Sequence, residues 1–141
     1  MSENLDHQLC FLLYVSSKEI IKEYTARLKK YDLTYTGYIT ILALCDEEHL
    51  TIKQLGHKLF LDSGTLTPLV KRLESNGYVN RKRSKEDERH LFVSLTPKGR
   101  ALSENLHCIG EDILQNSSIQ IQPEKVKELH AMLSQFINQL R

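Results

Sequence analysis

The stretch TIKQLGHKLFLDSGTLTPLVKRLESNGYVNRKRSKEDERHLFVSL, Thr51 to Leu95, decides the fold. Thr51-Ile-Lys-Gln54 has the form of a capping box. It opens a short helix through about Lys58, with Ile52, Leu55 and Leu59 turned inward. Leu59 to Leu61 makes a turn. Asp62 or Ser63 caps a second helix that runs to Asn76 and stops at Gly77. Pro68 lies in its early turns and sacrifices a backbone bond. Tyr78 to Lys82 and Leu91 to Leu95 read as two short strands around a charged loop, Ser84 to Arg89. Helix, tight turn, helix and hairpin is the order of a winged helix-turn-helix, whose second helix fits the DNA major groove.

That second helix carries its apolar residues at Leu66, Leu69, Val70 and Leu73, a helical stripe that faces the protein. The opposite surface holds Ser63, Thr65, Thr67, Lys71 and Arg72. Short hydroxyl residues and free N–H groups at a helix start approach phosphates and base edges, and the cations further along neutralise backbone charge. In the hairpin, Lys82, Arg83, Lys85 and Arg89 are placed to reach an adjacent minor groove. Asp87 is expected to pair with Arg89 or cap the loop, fixing how the wing projects. The plainer alternative is an amphipathic helix with a solvated polar face.

Charge distribution favours the nucleic-acid reading although the net charge of the 141 residues is only +1. Residues 71 to 100 hold nine Lys/Arg against four Asp/Glu, and the rest of the chain ten against fourteen. Such asymmetry presents a basic surface on a nearly neutral chain. The length suits one domain, 1–141, and the composition a water-soluble globular class. No apolar run approaches a bilayer span. Ser2 to His7 lacks the basic start of a secretory signal, so a cytoplasmic location without membrane contact is expected. Cys10, Cys45 and Cys108 are far apart and odd in number, which disfavours both a disulfide framework and a zinc site. No metal, cofactor or enzymatic activity is expected.

Around the central module, about residues 34–96, lie helical stretches at about 5–30 and 97–141. Leu5, Leu9, Leu12, Leu13, Ile20, Tyr24 and Leu28 recur near a 3.6-residue period. Thr34 caps a helix of roughly 35 to 46 that is apolar nearly all round, hence central and buried. Thr96-Pro97 starts a helix expected to continue to about Asn116, and Gln122-Pro123 starts a last one bearing Val126, Leu129, Leu133, Phe136, Ile137 and Leu140. These outer helices have more apolar positions than one small domain needs, so a two-fold homodimer is expected. Two reading helices on one DNA face imply an imperfect palindrome as the site. The fold class is therefore mainly α with a small β-wing, flanked by dimerisation helices.

Cys10 falls near the start of the first helix, and five of the six tyrosines lie within residues 14 to 38. Helix N-termini and phenol hydrogen bonds favour thiolates, which peroxide converts to sulfenic acid. Isolated cysteines are more often buried structural residues, so the residues alone leave Cys10 between the two. Inert burial is favoured for Cys45, and Cys108 is undecided.

Leu59 to Gly99, with the triplet Asp87-Glu88-Arg89, resembles the reading helix and wing of the MarR family of bacterial regulators. QLCFLLYVSSKEIIKEYTARLKKYDLTYTGY, residues 8 to 38, is similar to the family's one-cysteine, OhrR-like peroxide-sensing branch. The resemblance implies a dimer with interlocked first and last helices. It matches Cys10 to the reactive cysteine, Tyr24 and Tyr35 to tyrosines that bond to that thiol from the opposing subunit, and Tyr14 to one that shifts on oxidation. It matches Arg89 to an arginine that enters the minor groove. It implies an organic hydroperoxide or other oxidant, with a small external thiol, as effectors that weaken DNA binding. Two alternatives remain open: a regulator of the same architecture answering to a small aromatic ligand, and a protein-interaction adaptor using the winged module.

Overall fold

The computed structural model describes residues 4–87 and 89–140, so Glu88 of the wing triplet and the start of the chain, Met1 to Glu3, lie outside the described residues. The chain divides into two compact units, one ending at Ile109 and one beginning at Gly110.

The first unit is built around a buried helix. After a 3-10 turn at Leu5–His7, α1 runs Leu9–Leu28 and ends in a second 3-10 turn, Lys29–Tyr31. Helix α2 spans Tyr35–Cys45, with the Thr34 hydroxyl accepting from the Gly37 N–H at 3.1 Å. It buries Gly37, Tyr38, Thr40, Ile41, Ala43 and Leu44, in keeping with its all-round apolar sequence. The Thr40 hydroxyl, fully inside, donates to the Thr36 carbonyl at 2.7 Å, so its burial leaves no polar group unsatisfied.

The helix-turn-helix follows. The Thr51–Gln54 capping box is complete and opens α3, Ile52–Leu59. Phe60, in the left-handed region at φ 57°, turns the chain. The Leu61 N–H donates to the Gly56 carbonyl at 3.0 Å, closing the turn across Gly56. A Cβ on Gly56 would lie 2.6 Å from the Leu61 carbonyl oxygen, which explains a glycine inside so short a helix.

Asp62 caps α4, Ser63–Ser75. Leu66, Val70 and Leu73 are buried and Leu69 half-buried, as the stripe requires. Pro68 stays within α4 on its exposed side, where its missing N–H costs a bond to the exposed Gly64. Gly77, at φ 82°, ends the helix: its N–H donates to the Glu74 carbonyl and that of Tyr78 to the Leu73 carbonyl. This turn consumes Tyr78, so the first wing strand, β2, is Val79–Arg83, one residue later than the sequence suggests.

The expected two-stranded hairpin is a three-stranded antiparallel sheet. Leu50–Thr51 forms β1 and pairs with β3, Leu91–Leu95, giving the order β1-β3-β2. Val93 stands opposite both Leu50 and Arg81 and is fully buried. Two residues carry no period of their own, so only tertiary pairing makes β1 a strand.

Thr96 caps α5, Pro97–Leu106, with Pro97 in its first turn. The single helix expected to about Asn116 is instead interrupted at His107 and Cys108, and α6 spans Ile109–Asn116. Gly110, a poor helix former, follows the interruption. In the second unit, α7 spans Pro123–Asn138 as anticipated from Gln122-Pro123.

Candidate nucleic-acid interface and thiol site

On α4, Ser63, Thr65, Lys71 and Arg72 are exposed and Thr67 is half-buried. Burial of Leu66, Val70 and Leu73 on the other face fixes this strip outward. The turn that starts α4 is less open to an anion than its sequence suggests. The Thr65 N–H donates to Asp62 Oδ1 at 2.7 Å, and this bond holds the Asp62 carboxyl below the usual carboxylate range. The Thr65 side chain bonds to the same carboxyl. Arg72 is also engaged: its Nη2 donates to Asp32 Oδ1 at 2.8 Å.

The wing is braced at root and tip. At the root, the Arg81 guanidinium donates through Nε and Nη2 to Glu74 Oε1 at 3.1 and 3.0 Å, and the Arg81 N–H to Oε2 at 3.2 Å. Arg81 holds the Glu74 carboxyl below its ordinary range. The sequence reading missed this pair; the signal available was a cation on the alternate side of β2 from Lys82. At the tip, the Ser84 hydroxyl accepts from the Glu86 and Asp87 N–H groups, and the Ser84 N–H donates to the His90 carbonyl at 2.9 Å.

Asp87 bonds to both the backbone and the side chain of Arg89. Its Oδ1 accepts from the Arg89 N–H at 3.0 Å and from Arg89 Nε at 3.1 Å, while Oδ2 accepts from Nη2 at 3.1 Å. Arg89 pushes the Asp87 carboxyl down from its usual range. The pair leaves the Arg89 side chain 90% exposed, projecting but oriented. Lys82, Arg83 and Lys85 are exposed on the same wing.

Cys10 is the second residue of α1 and is exposed, with exposed Tyr14 one turn further on. Tyr24, Tyr35 and Tyr38 form a ring cluster with centroids 5.0, 5.1 and 5.7 Å apart. Burial first, and Tyr24 beside them second, push the Tyr35 and Tyr38 phenols up. Cys10 and Tyr24 share one continuous helix, 14 residues apart. At 1.5 Å per residue that is about 21 Å, so Cys10 does not reach this cluster within its own chain. Cys45 is half-buried, with its thiol donating to the Ile41 carbonyl at 3.3 Å. Cys108 is exposed, donates to the Asn105 carbonyl at 3.6 Å and adds to the upward push on Tyr38. Among the described residues, no group of His, Cys, Asp or Glu is arranged to hold a metal ion, and no helix is long and apolar enough to cross a membrane.

A reading helix packed on a buried helix beside a braced basic wing defines a winged helix-turn-helix regulator. Residues 21–106 match the family described as transcriptional regulator SarA/Rot. Over 134 residues the chain is 52% identical to the HTH-type transcriptional regulator SarZ of Staphylococcus saprophyticus, covering 95% of this chain and 90% of that one. Among solved structures, reduced AbfR bound to DNA superposes with a TM-score of 0.78 at 32% identity, covering 96% and 94% of the two chains. The overoxidised, DNA-bound form of AbfR gives 0.77 at 33% identity, covering 97% and 95%. AbfR is a Staphylococcus epidermidis protein. The chain belongs to the MarR/SarZ family of helix-turn-helix transcriptional regulators.

Proposed function

We propose that this chain acts as a homodimer that binds an imperfect palindrome in double-stranded DNA and is controlled by reversible oxidation or thiolation of Cys10. The observation that carries the DNA part is the exposed Ser63–Arg72 strip on a helix whose other face is buried, beside a wing arginine held outward by Asp87. We assign Ser63, Thr65, Thr67 and Lys71 to the major groove and its phosphates. Lys82, Arg83, Lys85 and Arg89 are assigned to the adjacent minor groove and backbone. Arg72 joins them only by releasing or sharing Asp32.

Dimerisation is supported by apolar faces that the single chain leaves uncovered. Leu9, Leu12, Leu13 and Tyr14 are exposed on α1, and Leu129, Met132, Phe136 and Ile137 on α7. A second copy is the economical cover. It also resolves the geometry of the thiol, because Tyr24 and Tyr35 serve Cys10 only from an opposing subunit.

The chemistry needs no cofactor. The Cys10 thiolate attacks one oxygen of an organic hydroperoxide, breaking the O–O bond. It gains that oxygen with its hydrogen as a sulfenic acid, and the other oxygen leaves as an alkoxide that takes a proton from water to become an alcohol. A small thiol then condenses with the sulfenic acid, forming a mixed disulfide and releasing water. AbfR structures exist on DNA both reduced and overoxidised, and also in a disulfide form, which directs attention to a disulfide-bonded state, here a mixed disulfide with a small thiol, as the form that weakens binding. The setting that suits a free thiol and chromosomal DNA is the cytoplasm.

The test is a mobility shift on promoter DNA with wild type and Cys10→Ser, reduced and after hydroperoxide plus small thiol. Cys10→Ser is expected to bind like reduced wild type under both conditions, while treated wild type loses affinity several-fold to a hundredfold, a coupling of about 1–3 kcal/mol. An equal response in the variant would remove Cys10 as the sensor.

A further inference from the structure

Helix α1 and the reading helix meet at a polar junction that DNA contact alone leaves unexplained. After the 3-10 turn at Lys29–Tyr31, Asp32 takes the left-handed conformation, φ 54°. The Asp32 N–H donates to the Lys29 carbonyl at 3.0 Å and the Leu33 N–H to the Leu28 carbonyl at 3.3 Å. The carboxylate therefore rides on the end of α1 without slack chain between.

It grips the C-terminal part of α4 at two residues one turn apart. Asp32 Oδ1 accepts from Arg72 Nη2 at 2.8 Å. Its Oδ2 and its main-chain oxygen accept from Asn76 Nδ2 at 3.3 and 3.4 Å. Next to it, the Tyr78 hydroxyl donates to the Tyr31 carbonyl at 2.9 Å. Apolar packing is non-directional, whereas bonds from both carboxylate oxygens to two side chains fix an orientation.

Neither stability nor charge attraction accounts for an acid at this place. The Arg72 and Asp32 side chains are 58% and 66% exposed, and exposed ion pairs contribute little to folding. An acid beside a phosphate-binding strip repels DNA and withholds a guanidinium from it.

We propose that Asp32 is a positioning residue. It carries a displacement of α1, whose far end holds Cys10, to the last turns of the reading helix, and so sets how strongly oxidation weakens DNA binding. This rests on the Cys10 reading above.

The test compares wild type, Asp32→Gly and Asp32→Asn. Glycine keeps the left-handed turn and removes both carboxylate bonds. Asparagine tolerates the same conformation and keeps one neutral acceptor. Affinity for a promoter duplex bound by reduced wild type is measured by fluorescence anisotropy, before and after conversion to the thiol adduct, alongside the thermal unfolding midpoint. Asp32→Gly is expected to unfold near the wild-type midpoint and to bind at least as tightly when reduced. Its reduced-to-oxidised affinity ratio should be about two- to fivefold smaller than that of wild type, the worth of one exposed ion pair. Asp32→Asn should fall between. An unchanged ratio in Asp32→Gly overturns the proposal, as does a parallel loss of both affinities with a lowered midpoint, which marks a purely structural role. A wild-type ratio of one overturns the Cys10 reading and this inference with it; a large wild-type ratio that Asp32→Gly retains overturns only the role of Asp32.

Discussion

Asp87 closes the wing tip through Oδ1, which accepts from the Arg89 N–H, and aims the Arg89 guanidinium with both oxygens. Arg89→Ala is expected to weaken binding and to reduce the slope of log affinity against log salt by about one, if the side chain neutralises one phosphate equivalent. Binding measured across a salt series gives the answer, and an unchanged slope would place Arg89 away from the DNA. The same pair has a defined acid limit. Because Arg89 depresses the Asp87 carboxyl, the brace is fully present above the ordinary aspartate range and is lost as pH falls through the depressed value. A carboxyl NMR titration is expected to show an Asp87 midpoint below that of a free aspartate, and Arg89→Ala should bring it back up. Cys10 and Cys108 are both exposed, Cys10 in the first turn of α1 and Cys108 immediately before α6.

At the scale of elements, the helix-turn-helix depends on a close approach between backbone atoms. Gly56 passes beneath the Leu61 carbonyl, and Phe60 bears the left-handed turn. Gly56→Ala forces these apart and is expected to cost about 1–3 kcal/mol, the usual range for overpacking. Urea unfolding measures it. DNA binding should suffer beyond the stability loss, because the turn sets the angle of α4. Local signals announced these elements well: Thr34, Thr51, Asp62 and Thr96 each accept a backbone N–H at the helix starts their positions suggest. Such caps are legible because donor and acceptor lie within three residues of each other. β1 and the Glu74–Arg81 brace were not legible, since each is settled by neighbours brought close only in the folded chain.

For the molecule as a whole, the apolar faces of the outer helices matter most. Leu9 is 69% exposed on α1 and Phe136 55% exposed on α7. Each sits in a helical stripe of similar residues, a pattern that single chains seldom leave in water. Leu9→Glu and Phe136→Glu are each expected to lower self-association, read by sedimentation velocity across a concentration series, with loss of palindrome binding in parallel. Unchanged association in both variants would place the dimer contact elsewhere.

The order of helices, the buried stripe of Leu66, Val70 and Leu73, and the basic wing were determined by sequence alone, because periodicity and capping act over a few residues. Only the tertiary structure decided what those residues hold. It joined Arg72 and Asn76 to Asp32 across about forty residues of chain, and it drew Tyr24, Tyr35 and Tyr38 into one cluster. It also kept that cluster far along α1 from Cys10. Directional bonds between distant segments depend on how helices pack, and packing leaves no local periodic trace.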